Sequence, residues 1–158
     1  MSRDTNKATQ AETLEKMLER HEGRKLKVYR CPANARTIGI GHNIDAKPLP
    51  KTMADYLAEH GEITNAMADE LLASDIAASK FSCGFIFPKF HAFTVARQNA
   101  LIDFVFNVGV GTAQKFKKAI HAMNIGHWDT AAEEMLDSTW AKQVKGRAIE
   151  ITDMIREG

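Results

Sequence analysis

Apolar residues near the N-terminus recur with helical spacing. They fall at positions i, i+3, i+4 and i+7 of a single face: Leu14, Met17, Leu18 and His21. Thr9 and Glu12 have the spacing of a capping box ahead of this face, and Gly23 follows it in the way that glycines end helices. The pattern therefore predicts a helix that carries Glu22 at its C-terminal end.

The next segment alternates between apolar and polar residues, which is typical of half-exposed strands. The predicted strands are residues 26–30, residues 37–41 and a third, short one beginning at Ile44 and Asp45. A turn over residues 31–34 joins the first two, and Pro48 ends this small sheet because proline cannot donate to a strand ladder.

Helical spacing returns after residue 50 and continues to the C-terminus. The predicted helices are one marked by residues 53–57 and closed by Gly61, one over about 64–80 capped by Thr64, one over about 94–108, one from Thr112 to Gly126, one over 128–136 and one over 148–155. The run at 94–108 is apolar nearly all round, so we expect it to be buried on every side. Residues 81–88 are predicted to be an apolar connector, and Trp140 to lie in a connection or short helix.

This order of elements predicts an α+β fold that is mostly helical. We divide it into an N-terminal part with the acid-bearing helix and the small sheet (1–63), a linking helix (64–80) and a C-terminal helical part (81–158).

The composition is that of an ordinary globular protein and excludes several function classes. The chain has 158 residues, 44% hydrophobic and 26% charged, with a net charge of +1, so we expect no nucleic-acid partner. The two cysteines and six histidines lack the spacing of metal ligands, so we expect no metal and no cofactor. The N-terminus shows no signal peptide, and no apolar run approaches the roughly 18 residues of a membrane span. We therefore expect a cytoplasmic protein without stable membrane insertion.

The segment from the first helix to the second strand carries the candidate chemistry. Cleavage of a glycosidic bond needs a proton donor and a group that makes or holds a nucleophile. Glu22 is the candidate donor, because the negative end of the helix dipole disfavours an ionised carboxyl, and Thr37 is a candidate to hold a water. Cys31 can be a nucleophile, a residue that orients water or a buried turn residue, and its chemistry alone favours the last. His42 is interpreted as a structural histidine, with Asp75 as its candidate partner.

The spacing of these residues resembles that of the phage lysozyme (endolysin) family, family 24 of the glycoside hydrolases. The chain has Glu22, eight residues, Cys31, five residues and Thr37, followed by Ile-Gly-Ile-Gly-His. The family pattern has Asp or Cys at the second of these positions. The resemblance extends over nearly the whole chain from about residue 14, with similar segments around Trp128 and Trp140.

This resemblance implies a two-lobed lysozyme fold with a cleft between the lobes. It implies hydrolysis of the β-1,4 bond between N-acetylmuramic acid and N-acetylglucosamine in peptidoglycan, with Glu22 as general acid and with Cys31 and Thr37 managing the nucleophile. The supporting residues that it implies are His42 paired with Asp75, and Arg147 near Glu22. The sugar-contact positions of the family correspond here to Asn43, Phe106, Asn107 and Glu134.

The same resemblance implies the partners and the setting. We expect a monomer that acts on peptidoglycan during bacterial host lysis, that stays in the host cytoplasm, and that reaches the periplasm after a separate holin opens the membrane. Two other functions stay open: a lytic transglycosylase of the same fold, and a non-catalytic module that binds the cell wall. Whether the reaction inverts or retains the anomeric configuration also stays open, because Cys31 stands where a carboxylate is common.

Overall fold

The fold combines many helices with one small antiparallel sheet, as a computed structural model shows for residues 11–158. The helices are α1 (Leu14–Glu22), α2 (Lys51–His60), α3 (Asn65–Ile86), α4 (Val95–Val108), α5 (Val110–Gln114), α6 (Lys117–Asn124), α7 (Trp128–Leu136), α8 (Thr139–Val144) and α9 (Gly146–Glu157), with a short 3₁₀ turn at Phe90–Ala92. The strands are β1 (Lys25–Arg30), β2 (Arg36–Gly39) and β3 (His42–Asn43). The predicted class, α+β and mostly helical, is confirmed.

Helix α1 ends at the acid because of the residue that follows it. Gly23 has a φ of 75° and donates its N–H to the Glu19 carbonyl oxygen, so Glu22 is the last helical residue. At the other end, the Thr13 hydroxyl accepts from the Lys16 N–H at 3.2 Å and caps the helix. The predicted capping residue Thr9 lies outside the described residues.

The register of the sheet places Thr37 on its central strand. Strand β2 pairs with β1 on one side and β3 on the other, so that Thr37 lies opposite both Tyr29 and Asn43. The predicted third strand at Ile44 and Asp45 is wrong in position, since β3 is His42–Asn43. The Asp45 carboxylate instead accepts from the backbone N–H of Arg36 at 2.8 Å, and this contact ends the strand pairing.

Two hydrophobic clusters share the long helix α3. The smaller cluster lies under the sheet and contains Ile38, Met53, Ile63, Ala68 and Leu71. The larger one surrounds α4, whose residues 100–105 are all buried, and it includes the C-terminal part of α3. The expectation that the whole run 94–108 is buried on every side is wrong at its N-terminal end, where Val95 is 73% exposed. Helix α1 also packs into this larger cluster, so the acid-bearing helix belongs by packing to the helical part of the chain.

Two of the predicted helix boundaries are wrong. Helix α3 continues to Ile86, through the segment predicted as a connector, because Cys83 and Ile86 face the core while Phe81 and Phe85 are 82% and 76% exposed. The helix predicted from Thr112 to Gly126 is two helices, α5 and α6, separated near Phe116. At the break, Phe116 has non-helical backbone angles (φ −79°, ψ 54°), and its ring packs edge-on against Phe104 at 4.9 Å.

Within residues 11–158, no helix has the length and apolar character that crossing a membrane requires.

Candidate active site

The Glu22 carboxyl is held from two directions. Arg147 Nη1 donates to Glu22 Oε1 at 2.8 Å, in a pair whose side chains are only 10% and 19% exposed. On the other side lies the backbone of Gly41, where a Cβ atom would stand 2.8 Å from Glu22 Oε2. Gly41 also lines a groove, of which Glu22 itself is not a lining residue. Gly41, with a φ of 66°, thus lets the backbone approach one oxygen of a carboxyl whose other oxygen accepts from Arg147.

A buried aspartate holds the other edge of Arg147. Arg147 Nε donates to Asp103 Oδ1 at 2.9 Å, and the Asp103 side chain is 0% exposed on α4. The second oxygen, Asp103 Oδ2, lies 2.7 Å from His21 Nδ1. The hydrogen bond that His21 donates to the Asp103 carboxylate raises the pKa of His21 despite the opposing effect of burial. Helices α1, α4 and α9 therefore meet in a chain of ion pairs behind the acid.

This chain of ion pairs continues to the surface through Glu150. His21 Nε2 lies 2.9 Å from Glu150 Oε2, and Arg20 Nη1 donates to the same oxygen at 3.0 Å. The hydrogen bond with Arg20, assisted by the one with His21, lowers the pKa of Glu150 to about 2. Glu150 therefore remains ionised and keeps His21 between two carboxylates.

The hairpin brings the thiol and the hydroxyl together. Thr37 is buried, and its hydroxyl donates to the Ala35 carbonyl oxygen at 3.0 Å. Burial acts to raise the pKa of the Cys31 thiol, but hydrogen bonds from the Ala35 backbone, the Thr37 side chain and the Ala33 backbone outweigh it and lower the pKa. A larger fraction of Cys31 is therefore present as thiolate than for an ordinary cysteine at the same pH.

Tyr29 connects the hairpin to the acid. Burial raises the pKa of the Tyr29 hydroxyl, and the nearby charges of Glu22 and Cys31 raise it further. Both groups are thus close enough to Tyr29 for their charges to act on it. Tyr29 lies opposite Thr37 in the sheet, so it belongs to the same hairpin as the thiol.

A groove of about 220 Å³ lies between the sheet, α3 and α4. Asn43 and Phe106, two of the predicted sugar contacts, line it together with His42 and Asp75. His42 Nδ1 lies 2.7 Å from Asp75 Oδ2, and His42 Nε2 lies 2.8 Å from the Lys47 carbonyl oxygen. Burial acts to lower the pKa of His42, but Asp75 and the Lys47 carbonyl overcome it and raise the pKa. The pair fixes the wall of the groove by joining β3 to α3.

The other two predicted sugar contacts lie in different surroundings. Asn107 Oδ1 accepts from Trp140 Nε1 at 2.8 Å, so its amide supports the packing of α4 on α8. Glu134 lines a separate groove between α6 and α7, next to Lys117 and Lys118. The structure thus brings Asn43 and Phe106 together and leaves Asn107 and Glu134 outside their groove.

Sequence reasoning did not identify Asp103, His21, Tyr29 or Gly41 as parts of the site. The sequence does contain an indication for Asp103, because it is the one acidic residue in the apolar run of residues 100–106. A carboxylate buried in such a run requires charged or hydrogen-bonding partners. His21 was interpreted as part of the apolar face of α1, and its partners are distant in sequence. No local pattern distinguishes Tyr29 from an ordinary strand residue.

Comparison with known proteins gives one family and several relatives. A family model described as phage lysozyme matches residues 19–155. The pre-baseplate central spike protein Gp5 of Enterobacteria phage T4 is 34% identical over 92% of the chain, which spans only 28% of that protein. Probable T4-type lysozyme 1 of Dictyostelium discoideum is 26% identical, with 92% of the chain and 95% of the relative covered. An endolysin of Acyrthosiphon pisum secondary endosymbiont phage 1 is 27% identical, with 89% and 86% covered.

Proposed function

The chain belongs to the phage lysozyme family, and from this we propose that it hydrolyses the β-1,4 bond between N-acetylmuramic acid and N-acetylglucosamine in peptidoglycan. The observation that carries the proposal is the geometry of Glu22. One of its oxygens accepts from Arg147, and the other lies against the backbone of Gly41, which lines the groove. A carboxyl held in this way can present a proton in one direction to a bound sugar chain.

In the proposed reaction, protonated Glu22 donates to the glycosidic oxygen as the bond breaks. A water then attacks the anomeric carbon from the opposite side, and the thiolate of Cys31 accepts its proton. Thr37 orients this water, because its hydroxyl oxygen can accept a hydrogen bond from it. The single Thr37 hydroxyl proton goes to the Ala35 carbonyl oxygen or, in exchange, to the Cys31 thiolate. The lowered pKa of Cys31 supports its part as the base.

Direct attack by the Cys31 sulfur on the anomeric carbon is the other mechanism for the same residues. The two mechanisms differ in stereochemistry, because attack by water inverts the anomeric configuration whereas a covalent intermediate leads to retention. Proton NMR of the first product formed from soluble peptidoglycan fragments distinguishes them. We expect the inverted anomer, and the retained anomer would assign Cys31 as the nucleophile.

Variants of the acid test the assignment of Glu22. We expect Glu22→Gln to abolish the clearing of outer-membrane-permeabilised cells, because the amide cannot donate the required proton. Glu15→Gln is the matched control, since Glu15 is an exposed glutamate at the other end of α1. It should clear the cells as fast as the original chain does. Full activity of Glu22→Gln would reject Glu22 as the acid.

Two other functions predict different results in the same assays. A lytic transglycosylase also needs Glu22 but releases an anhydro product that is lighter by one water. A non-catalytic wall-binding module pulls down with peptidoglycan and releases no fragments, whether Glu22 is present or not. The buried ion pair of Glu22 with Arg147 and the lowered pKa of Cys31 favour the hydrolase over the binding module.

For the biological role, we propose lysis of the bacterial host by a monomer that waits in the cytoplasm. Release would then depend on a separate holin or an equivalent membrane lesion. Expression in a bacterium should leave the culture intact until chloroform opens the inner membrane, and lysis should follow at once. The similarity to a phage spike protein supports a second role, wall cleavage by a virus particle, which detection of the chain in purified particles would favour.

A further inference from the structure

A row of alternating charges runs behind the proposed acid. It consists of Glu22, Arg147, Asp103, His21 and Glu150, and each neighbour in the row is within 2.9 Å of the next. The row crosses three helices, since Glu22 and His21 lie on α1, Asp103 on α4, and Arg147 and Glu150 on α9. It therefore connects the acid with the partly exposed Glu150 of α9 through groups that are mostly buried.

Asp103 occupies the centre of this row. Its side chain is 0% exposed, and each of its oxygens has one partner, Arg147 for Oδ1 and His21 for Oδ2. A buried carboxylate is strongly unfavourable unless such partners compensate it. Asp103 is therefore bound firmly enough to fix the plane of the Arg147 guanidinium, and with it the direction from which Nη1 reaches Glu22.

We infer that Asp103 is a positioning residue for Glu22: it orients Arg147 and offsets the positive charge that Arg147 presents to the acid. The inference rests on the proposed function of Glu22. Arg147 alone would favour the ionised form of Glu22, which cannot donate a proton. The negative charge of Asp103 on the far edge of the guanidinium offsets part of the positive charge that Arg147 presents to Glu22.

His21 opposes Asp103 in this arrangement. When protonated, it lies against Asp103 and takes up part of the carboxylate's charge, which leaves more of the Arg147 charge to act on Glu22. Its pKa is raised by Asp103, so this state extends to higher pH than for an ordinary histidine. The charged or titratable groups that face the row from the packed elements are Arg20 and Glu150 around His21, and Tyr29 beside Glu22.

Asp103→Asn tests the inference with little change of shape. The amide oxygen of asparagine can still accept from Arg147 Nε. Its NH₂ group can donate to His21 Nδ1 when that histidine is neutral with its proton on Nε2, so the variant removes the carboxylate charge and keeps both contacts in the neutral state of His21. We expect the alkaline limb of the pH profile of kcat to move to lower pH by on the order of 0.5–1 unit. The KM for soluble peptidoglycan strands should stay unchanged, because Asp103 does not line the groove.

Two further variants separate positioning from a merely structural role. His21→Gln removes the opposing charge, so its alkaline limb should move to higher pH. Thr152→Val is the structural control, since Thr152 is buried on α9 and its hydroxyl donates to the Ala148 carbonyl oxygen. It should lower the melting temperature and leave the pH profile in place.

The outcomes are distinguishable from a failure of the proposed function. If the original chain releases no fragments from peptidoglycan, the proposed function itself is wrong. If the original chain is active and Asp103→Asn has an unchanged pH profile, only the inference about Asp103 is overturned. Should Asp103→Asn fail to fold, His21→Gln decides alone: a shift to higher pH supports the inference, and no shift or a shift to lower pH overturns it.

Discussion

Replacing Gly41 with alanine would place a methyl group directly against the proposed acid. A Cβ atom at this position would lie 2.8 Å from Glu22 Oε2 and 2.9 Å from both Cδ and Cγ of the same side chain. Gly41 also has a φ of 66°, in the left-handed region that residues with a Cβ rarely adopt. The substitution therefore adds backbone strain and a contact that Glu22 must relieve by moving.

The size of both effects follows from the geometry. Left-handed backbone costs an alanine about 1–2 kcal/mol, which lowers the melting temperature of a chain of this length by about 2–8 °C. To restore van der Waals contact, the Glu22 carboxyl must retreat from residue 41 by roughly 0.6 Å. A displacement of about 1 Å in a catalytic group can cost about 100-fold in rate, so we expect a loss of about 10- to 100-fold.

The chain offers a matched control for this experiment. Gly61 has a φ of 75°, and a Cβ there would meet nothing within 4 Å, so Gly61→Ala introduces the strain without the contact. Initial rates of peptidoglycan solubilisation and melting temperatures should be measured for both variants. We expect similar melting temperatures and a loss of activity in Gly41→Ala alone. If Gly41→Ala keeps as much activity as Gly61→Ala, the close approach of residue 41 to the acid has no catalytic consequence.

The remaining predictions concern the thiol and the buried histidine. Iodoacetamide should label Cys31 and stop the reaction, because the pKa of the Cys31 thiol is lowered. Burial raises the pKa of Cys83 to about 12, so Cys83 should remain unlabelled. Peptide mass mapping that finds Cys83 labelled first would contradict this prediction. The raised pKa of His42 means that its pairing with Asp75 stabilises the fold fully below the ordinary value of 6.5 and less as pH rises through the raised value. Urea unfolding of Asp75→Asn should accordingly show a larger loss of stability at about pH 5.5 than at about pH 9, and equal losses would refute the role of protonated His42.

Local sequence patterns were sufficient to predict the parts of the site that depend on neighbours in the chain. The apolar face of α1 and the glycine after it determine where that helix ends, and so they predict Glu22 at its C-terminus. The alternation of residues 26–30 and 37–41 predicts a hairpin, and the hairpin places Thr37 on a central strand. These features depend on periodicity and turn chemistry, which a single sequence displays.

The partners of the acid could not be predicted in the same way. Asp103 lies 82 residues from His21, and Arg147 lies 125 residues from Glu22, so no local pattern relates them. The resemblance implied the contact of Arg147 with Glu22, but nothing in the chain indicated that Asp103 holds the other edge of the arginine. The end of α3 was missed for another reason: Phe81 and Phe85 are apolar yet exposed, which disguises the helical face beneath them.

The central claim is that this chain cuts the sugar backbone of peptidoglycan by adding water. Digestion of purified peptidoglycan in water labelled with oxygen-18, followed by mass spectrometry of the fragments, tests it most directly. We predict fragments that carry the heavy oxygen at a new reducing end on N-acetylmuramic acid, and no such fragments from Glu22→Gln. Anhydro fragments without the label, or reducing ends on N-acetylglucosamine, would contradict the claim.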